Sequence, residues 1–290
     1  MDCRTTIFEQ NEITYNTHTP MKKTFLLLGV LALVLVSCSS SSSSEEYEKM
    51  NLKGHVKTIK EAQYDVDYVG REVINKRLNF YTTYEFDKSG RLISKTSSGD
   101  EGERVREQYE LSHDTLYKKL YYSGELQDRL ECQILDSKGR ITSSFDLRNG
   151  VQSSLKTYEY NNQNKTEKII HWNNDGFIGS IAKYVYDKNG YLVRIVSCNE
   201  AGDSIWTFYN YVNDENGRPL KTRVQFAPDG HPRIITKRYN EFGDITYEEF
   251  PGWWEWKYKY TYDNHNNWVT QIRKDEDDEY QYTEREYIYY

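Results

Sequence analysis

The stretch Tyr184-Val-Tyr186-Asp187-Lys-Asn-Gly190-Tyr-Leu192 decides the fold, because it recurs along the chain. Earlier copies read Tyr84-Glu-Phe86-Asp87-Lys-Ser-Gly90-Arg-Leu92, Leu135-Asp136-Ser-Lys-Gly139-Arg-Ile141 and Tyr158-Glu-Tyr160-Asn161-Asn-Gln-Asn164. Later ones run from Tyr209-Asn-Tyr211 to Asp214-Glu-Asn-Gly217, then Tyr239-Asn240-Glu-Phe-Gly243-Asp-Ile245 and Tyr260-Thr-Tyr262-Asp263-Asn-His-Asn266-Asn-Trp268. A degenerate copy lies near Tyr109–Leu116. The period is about 26 residues, and a second set of glycines falls midway, at Gly124, Gly150, Gly176, Gly202, Gly230 and Gly252. A fixed period of this length marks a repeat architecture. Asp or Asn starts a turn by accepting backbone N–H groups two residues on. A Gly or Asn three residues later takes positive φ at little cost. Each period therefore holds two turns and two strands.

The residues flanking the turns alternate as strands do. Leu78, Phe80, Thr82, Tyr84 and Phe86 share one face before a turn. After the turns, Leu192 and Val196, Ile141 and Phe145, and Trp268 and Ile272 share another. The segment around Val56–Ile59 supplies a first strand at one edge, and Tyr282–Tyr290 a last strand whose Glu284, Arg285 and Glu286 blunt the other edge. Eight periods give about 16 strands, more than an open sheet holds without curling or splitting. The expected fold is all-β, a curled, elongated antiparallel sheet of tandem hairpins. A small β-propeller is the alternative.

The motif Tyr-x-Tyr-Asp-x-x-Gly-x-Leu resembles the YD-repeat family, of the Rhs and teneurin type, over residues 80–290. The resemblance implies long, curling antiparallel sheets of hairpins. In the largest members the sheet forms a shell around a toxin. The closer likeness is to short-array lipoproteins of Gram-negative bacteria.

A leader precedes the repeats. Met21-Lys22-Lys23 is a basic opening, residues 25–36 are apolar, and Leu35-Val36-Ser37-Cys38 resembles a bacterial lipobox. That resemblance implies cleavage before Cys38 and acylation of its thiol. An ordinary signal peptide with an incidental cysteine is the alternative. The organisation read here is an upstream extension over 1–20 ahead of the true start, a lipoprotein signal over 21–37, a serine-rich tether over 38–49 and one repeat domain over 50–290. The expected location is the bacterial envelope, as an outer-membrane lipoprotein. Cys132 and Cys198 fall at different phases of the repeat and read as two separate thiols rather than a bridge.

The 290 residues carry 38 Lys and Arg against 45 Asp and Glu, a net charge of -7 that argues against a nucleic-acid partner. Only one long apolar run exists, so a bundle of membrane helices is excluded. Aromatic residues make up 15%, 27 of them Tyr, which excludes a disordered chain.

Trp254, Trp256, Tyr258, Tyr260 and Tyr262 share a strand face. They read either as the inner face of the sheet or as a ligand platform, with Trp253, Trp254, Trp256 and Tyr258 as the candidate residues. Trp253 is out of phase with them, follows Pro251-Gly252 and is the ring expected to be exposed. Trp206 and Phe208, out of phase with Tyr209 and Tyr211, are expected against a second layer or a partner. The acidic turn Asp275–Glu279 reads as a solvated tip, His55, His113, His171, His231 and His265 as surface residues, and no metal or cofactor motif is apparent. The expected function is non-catalytic binding of a glycan, cell-wall or protein partner, or surface scaffolding. The alternative is an envelope enzyme with a site in a groove of the sheet.

Overall fold

The computed structural model describes residues 47, 49–69, 72–99, 102–226, 231–277 and 279–290. Cys38, the signal and most of the tether lie outside them, as does Gly230. The described chain is all-β. Eighteen strands run from β1 (Val56–Val69) and β2 (Glu72–Phe86) to β17 (Trp268–Lys274) and β18 (Tyr280–Tyr289) in one antiparallel sheet. Each strand pairs with the next, and β1 also pairs with β18 from Val56↔Tyr289 to Val66↔Tyr280. The sheet is therefore a closed up-and-down barrel. This corrects the expected open, curled sheet and its propeller alternative. Closure satisfies the backbone of the first and last strands, which the sequence reading had placed at edges. Arg285 does not blunt an edge. It turns inward to Glu61 at 2.7 Å, with its guanidinium 3.7 Å from the centre of the Trp268 ring.

Hairpin tips are alike because one side chain organises each. At Asp87, Oδ1 accepts from Ser89 N at 2.9 Å and Arg91 N at 3.0 Å, while Asp87 N donates to Arg91 O and Gly90 N to Asp87 O. The same set recurs at Asp136, Asn161, Asp187, Asp214, Asn240 and Asp263. Gly90, Gly139, Gly190, Gly217 and Gly243 all take positive φ there, as do Asn164 and Asn266 in the glycine position. All seven tips lie at one end of the barrel, since each closes a hairpin in the same direction.

The next level joins hairpin to hairpin. Immediately after each tip the ladder shifts register, as between Leu135↔Ile141 and Ile134↔Ser143. The first strand residue after the tip then offers its carbonyl to a tyrosine of the following hairpin. Tyr160 Oη donates to Ile141 O at 2.8 Å, Tyr186 to Thr166 O at 2.8 Å and Tyr239 to Pro219 O at 3.2 Å. Tyr260 donates to Ile245 O at 2.8 Å and Tyr287 to Trp268 O at 2.9 Å. Where the chain has Asn210 instead, its Nδ2 donates to Leu192 O at 3.0 Å. The residue after the tip glycine covers the same ring: Arg140 stands 4.4 Å from the centre of Tyr160 and Arg218 4.8 Å from that of Tyr239. A net gain of about 0.5–1.5 kcal/mol per hydrogen bond, repeated from the Asp136 tip to the Asp263 tip, fixes these hairpins to their neighbours.

The register shifts also correct the expected faces. Ile195 and Ser197 are buried where Val196 was expected to share the inward face of Leu192. Phe80 is exposed although Thr82, Tyr84 and Phe86 are buried, and a shift that skips Asn79 takes Leu78 out of their phase. Phe208 is buried and packs on Trp206 with ring centres 5.0 Å apart, while Tyr209 is exposed. The pairing β12 (Ser204–Asn213) with β13 (Pro219–Phe226) skips a residue between Asn210 and Val212, which reverses the phase. Cys132 and Cys198 are free and buried.

Residues 47–54 complete the ring of tips. The Tyr47 ring meets Phe86 edge-on at 5.3 Å and lies over Gly90, where elsewhere the preceding tip's residue lies. Asn51 Nδ2 donates to Phe242 O at 3.0 Å, and the buried Asn267 amide bridges Lys53 N and O at 2.7 and 2.8 Å. Leu52, Val56, Ile59, Tyr84, Phe86 and Leu92 form the core beneath.

Tip packing predicts unequal costs for two alanines. A Cβ at Gly217 would lie 2.0 Å from Tyr191 Cδ1, whereas one at Gly150 meets nothing within 4 Å; both glycines have positive φ. Gly150→Ala is expected to cost about 1–2 kcal/mol, the backbone term alone. Gly217→Ala is expected to lower the thermal midpoint further, and equal midpoints would contradict tip-to-tip packing.

Candidate aromatic site

The sequence places its aromatic candidates where β15 (Ile245–Phe250) turns into β16 (Trp254–Tyr262). Pro251 and Gly252, the latter at φ +77, make the reversal, and Trp253 N donates to Phe250 O at 2.9 Å. Phe250 pairs with Trp254 and Glu248 with Trp256. Side chains of β16 then alternate: Lys257 and Lys259 are exposed, while the even-numbered aromatics lie on the other, more covered face.

That face carries two runs of packed rings. Phe250 and Trp254 centres are 4.9 Å apart, Trp254 and Trp256 stack at 5.2 Å, and Tyr258 and Tyr260 stack at 6.3 Å. Trp254, Trp256 and Tyr258 therefore pack with the wall's interior. Trp253 lies at the tip, 44% exposed, with its centre 5.4 Å from Phe250. The guanidinium of Arg233, at the start of β14 (Arg233–Tyr239), stands 5.3 Å from the centre of Trp253 and 5.7 Å from that of Phe250. Its Nη1 also donates to Pro251 O at 3.2 Å. Arg273 covers Trp256 at 5.0 Å. The result is a half-open indole flanked by a cation and a buried ring. Such a surface suits the face of a sugar or a planar peptide group.

Sequence reasoning missed Arg233, Phe250 and the ion pair Lys237–Glu248, which closes at 2.9 Å with both side chains almost fully buried. Arg233 did leave a signal. It precedes Trp253 by 20 residues, the spacing that sets Arg140 over Tyr160.

The turn residues Asp87, Asp136, Asp187, Asp214 and Asp263, with their glycines, sit at the opposite end and shape hairpins. Burial pulls the Asp87, Asp136 and Asp214 carboxyls up, but hydrogen bonds from the loop and from Arg91, Arg140 and Arg218 outweigh it and hold them below the usual range. Asp275 Oδ1 is spent on Asp277 N and Glu279 N within its own tip. His171 is half-buried and held below the ordinary histidine value by burial and by Lys156. Among the described residues no group of three His, Cys, Asp or Glu side chains is placed to hold a metal.

No family model matches the chain, and neither does any curated protein. Among solved structures it is similar to a porin-like protein from Bacteroides uniformis, at 12% identity over 82% of this chain and 98% of that one, with a TM-score of 0.43. It is also similar to TcdB2-TccC3-TEV, at 10% identity and a TM-score of 0.35, over 76% of this chain. The match spans 15% of that much longer chain.

The ring ladder predicts a resistant tyrosine titration. Burial, then the charge of Glu248, pushes the Tyr258 hydroxyl far above its ordinary value of about 10. Burial does the same at Tyr239 and Tyr260. A raised folded pKa stabilises the fold fully below the unfolded value, and that stability drains away as pH climbs past it. Base titration followed by tyrosinate absorbance is expected to show one class ionising near the ordinary value and a second only as the barrel unfolds. A single class at the ordinary value would contradict the burial.

Proposed function

We propose that the chain is a non-catalytic protein of the bacterial cell envelope, anchored by a lipid at Cys38. Its barrel offers an aromatic end to a glycan, cell-wall or protein partner. The observation that carries this reading is the Trp253 indole, exposed at a barrel end between Arg233 and Phe250.

The chemistry of the wall supports a barrel that stands in water. Eighteen strands would suit a membrane channel by number, but a lipid-facing wall needs an apolar band with aromatic girdles. Here exposed charges alternate with buried residues around the sheet: Lys60, Glu85, Glu159, Lys183, Arg194, Lys221, Arg223, Arg238, Lys257 and Glu286. Each would cost energy in hydrocarbon. The signal-like leader and Cys38 supply the membrane link instead. The recurring Asp-x-x-Gly tips support grouping the repeats with the YD type, here closed into a ring.

Two outcomes test the reading. A chain carrying Cys38→Ser and lacking the signal is expected to remain in solution without detergent after ultracentrifugation; a detergent requirement would contradict the wetted wall. Trp253→Ala is expected to leave the unfolding free energy within about 0.5 kcal/mol of the parent, as surface changes do, while abolishing retention on a glycan array. Glycan binding insensitive to that change, or no binding by the parent, would remove the platform.

A further inference from the structure

We infer that the barrel end made of the Asp-x-x-Gly tips lies against the bilayer, and that the end carrying Trp253 is held away from it. The inference rests on the lipid anchor at Cys38 proposed above.

The chain enters the barrel at a fixed place. Tyr47 Oη reaches Gly54 O and accepts from Val56 N at 3.0 Å, and its ring is set on Phe86 and Gly90. Asn51 and Lys53 continue the attachment to Phe242 and Asn267. Every one of these partners belongs to the ring of tips or to the strand ends beside it. The anchored segment therefore emerges at that end and no other.

Length then constrains the orientation. Eight residues, Ser39 to Glu46, separate Cys38 from Tyr47. Fully extended they reach about 30 Å. The opposite rim is uneven. The 14 residues of β1, rising about 3.3 Å each and tilted as barrel strands are, put its highest part roughly 35 Å from the entry, while the nine of β16 put Trp253 roughly 23 Å away. A barrel inverted onto its high β1 side would need more chain than the tether has.

Charge agrees with length. The tips at the entry end expose Lys88, Lys138 and Lys188 on one half of the ring, with the single acid Asp114 among them; Glu215 and Glu241 follow on the other half. Among the described turns of the far end the charged residues are Asp175, Glu200, Asp203, Asp275, Glu276, Asp277 and Glu279, with Arg148 and Arg233 at the strand ends beside them. A surface of anionic phospholipid attracts the lysine side and repels the acidic end. Trp253 is thereby presented outward, on the side away from the lipid.

The test uses the full lipidated protein in vesicles of phosphatidylcholine and phosphatidylglycerol bearing a headgroup acceptor dye. A donor dye is placed at Lys188→Cys or at Glu200→Cys, exposed positions at opposite ends of one strand, Leu192–Cys198. Energy transfer is expected to be several-fold greater from position 188. Equal transfer, or greater transfer from position 200, with the protein in the vesicle fraction would overturn the orientation while leaving the anchor standing. Failure of the lipid-modified form to float with vesicles would overturn the anchor and the orientation with it.

Discussion

A tyrosine hydroxyl meeting a backbone carbonyl one hairpin away is the contact on which the rest of the barrel depends. A hairpin by itself is marginal in water, and this chain makes its hairpins hold by clasping each to the one before. The register shift after the tip turns a carbonyl toward the neighbour; Tyr160, Tyr186, Tyr239, Tyr260 and Tyr287 meet it. The tip's Arg or Lys then lies over the ring it has helped to place. The chemistry explains why the motif needs tyrosine and not simply an aromatic residue. Phenylalanine would fill the space and leave the carbonyl unmet.

A clasp that acts in one direction must begin and end somewhere, and closure answers that need. The first hairpin has no predecessor, so Tyr47 takes the place of one over Gly90. The last strand has no successor, so β1 pairs with it and Tyr290 Oη donates to Phe86 O at 2.6 Å. Glu61 and Arg285 form their ion pair across the same seam. Such a buried pair is weak evidence of net stability, since desolvation offsets attraction. It does make any other register costly, because a slip would strand one of the charges. The functional consequence is a rigid ring with two different ends. One end is knitted from tips and the entering chain, and the other carries the half-exposed Trp253.

Much of this was legible in the sequence, for physical reasons that can be named. The Asp and Gly of each tip act within five residues, so their spacing alone gives the hairpins and the all-β class. Trp253 stood out because it broke the phase of β16. Closure was not legible: β1 and β18 meet across more than 200 residues, and no local pattern records which strand an edge will choose. The faces after each tip were misread because one skipped residue sends Val196 outward and brings Ile195 and Ser197 in. Trp206 and Phe208 were misplaced for the same reason. Arg233 escaped notice because its partner lies a full repeat away.

The central claim is that the sheet is closed between its first and last strands, and a cross-link at the seam tests it most directly. Lys60 and Glu286 are paired across β1 and β18 with their charged ends 3.5 Å apart on the outer wall. In the doubly substituted Lys60→Cys, Glu286→Cys protein, mild oxidation should give an intramolecular disulfide in the folded state, detected by mass spectrometry of the linked peptides. A closed barrel predicts that bond in dilute solution. Its absence, or cross-links only between molecules, would contradict closure and return the chain to an open sheet.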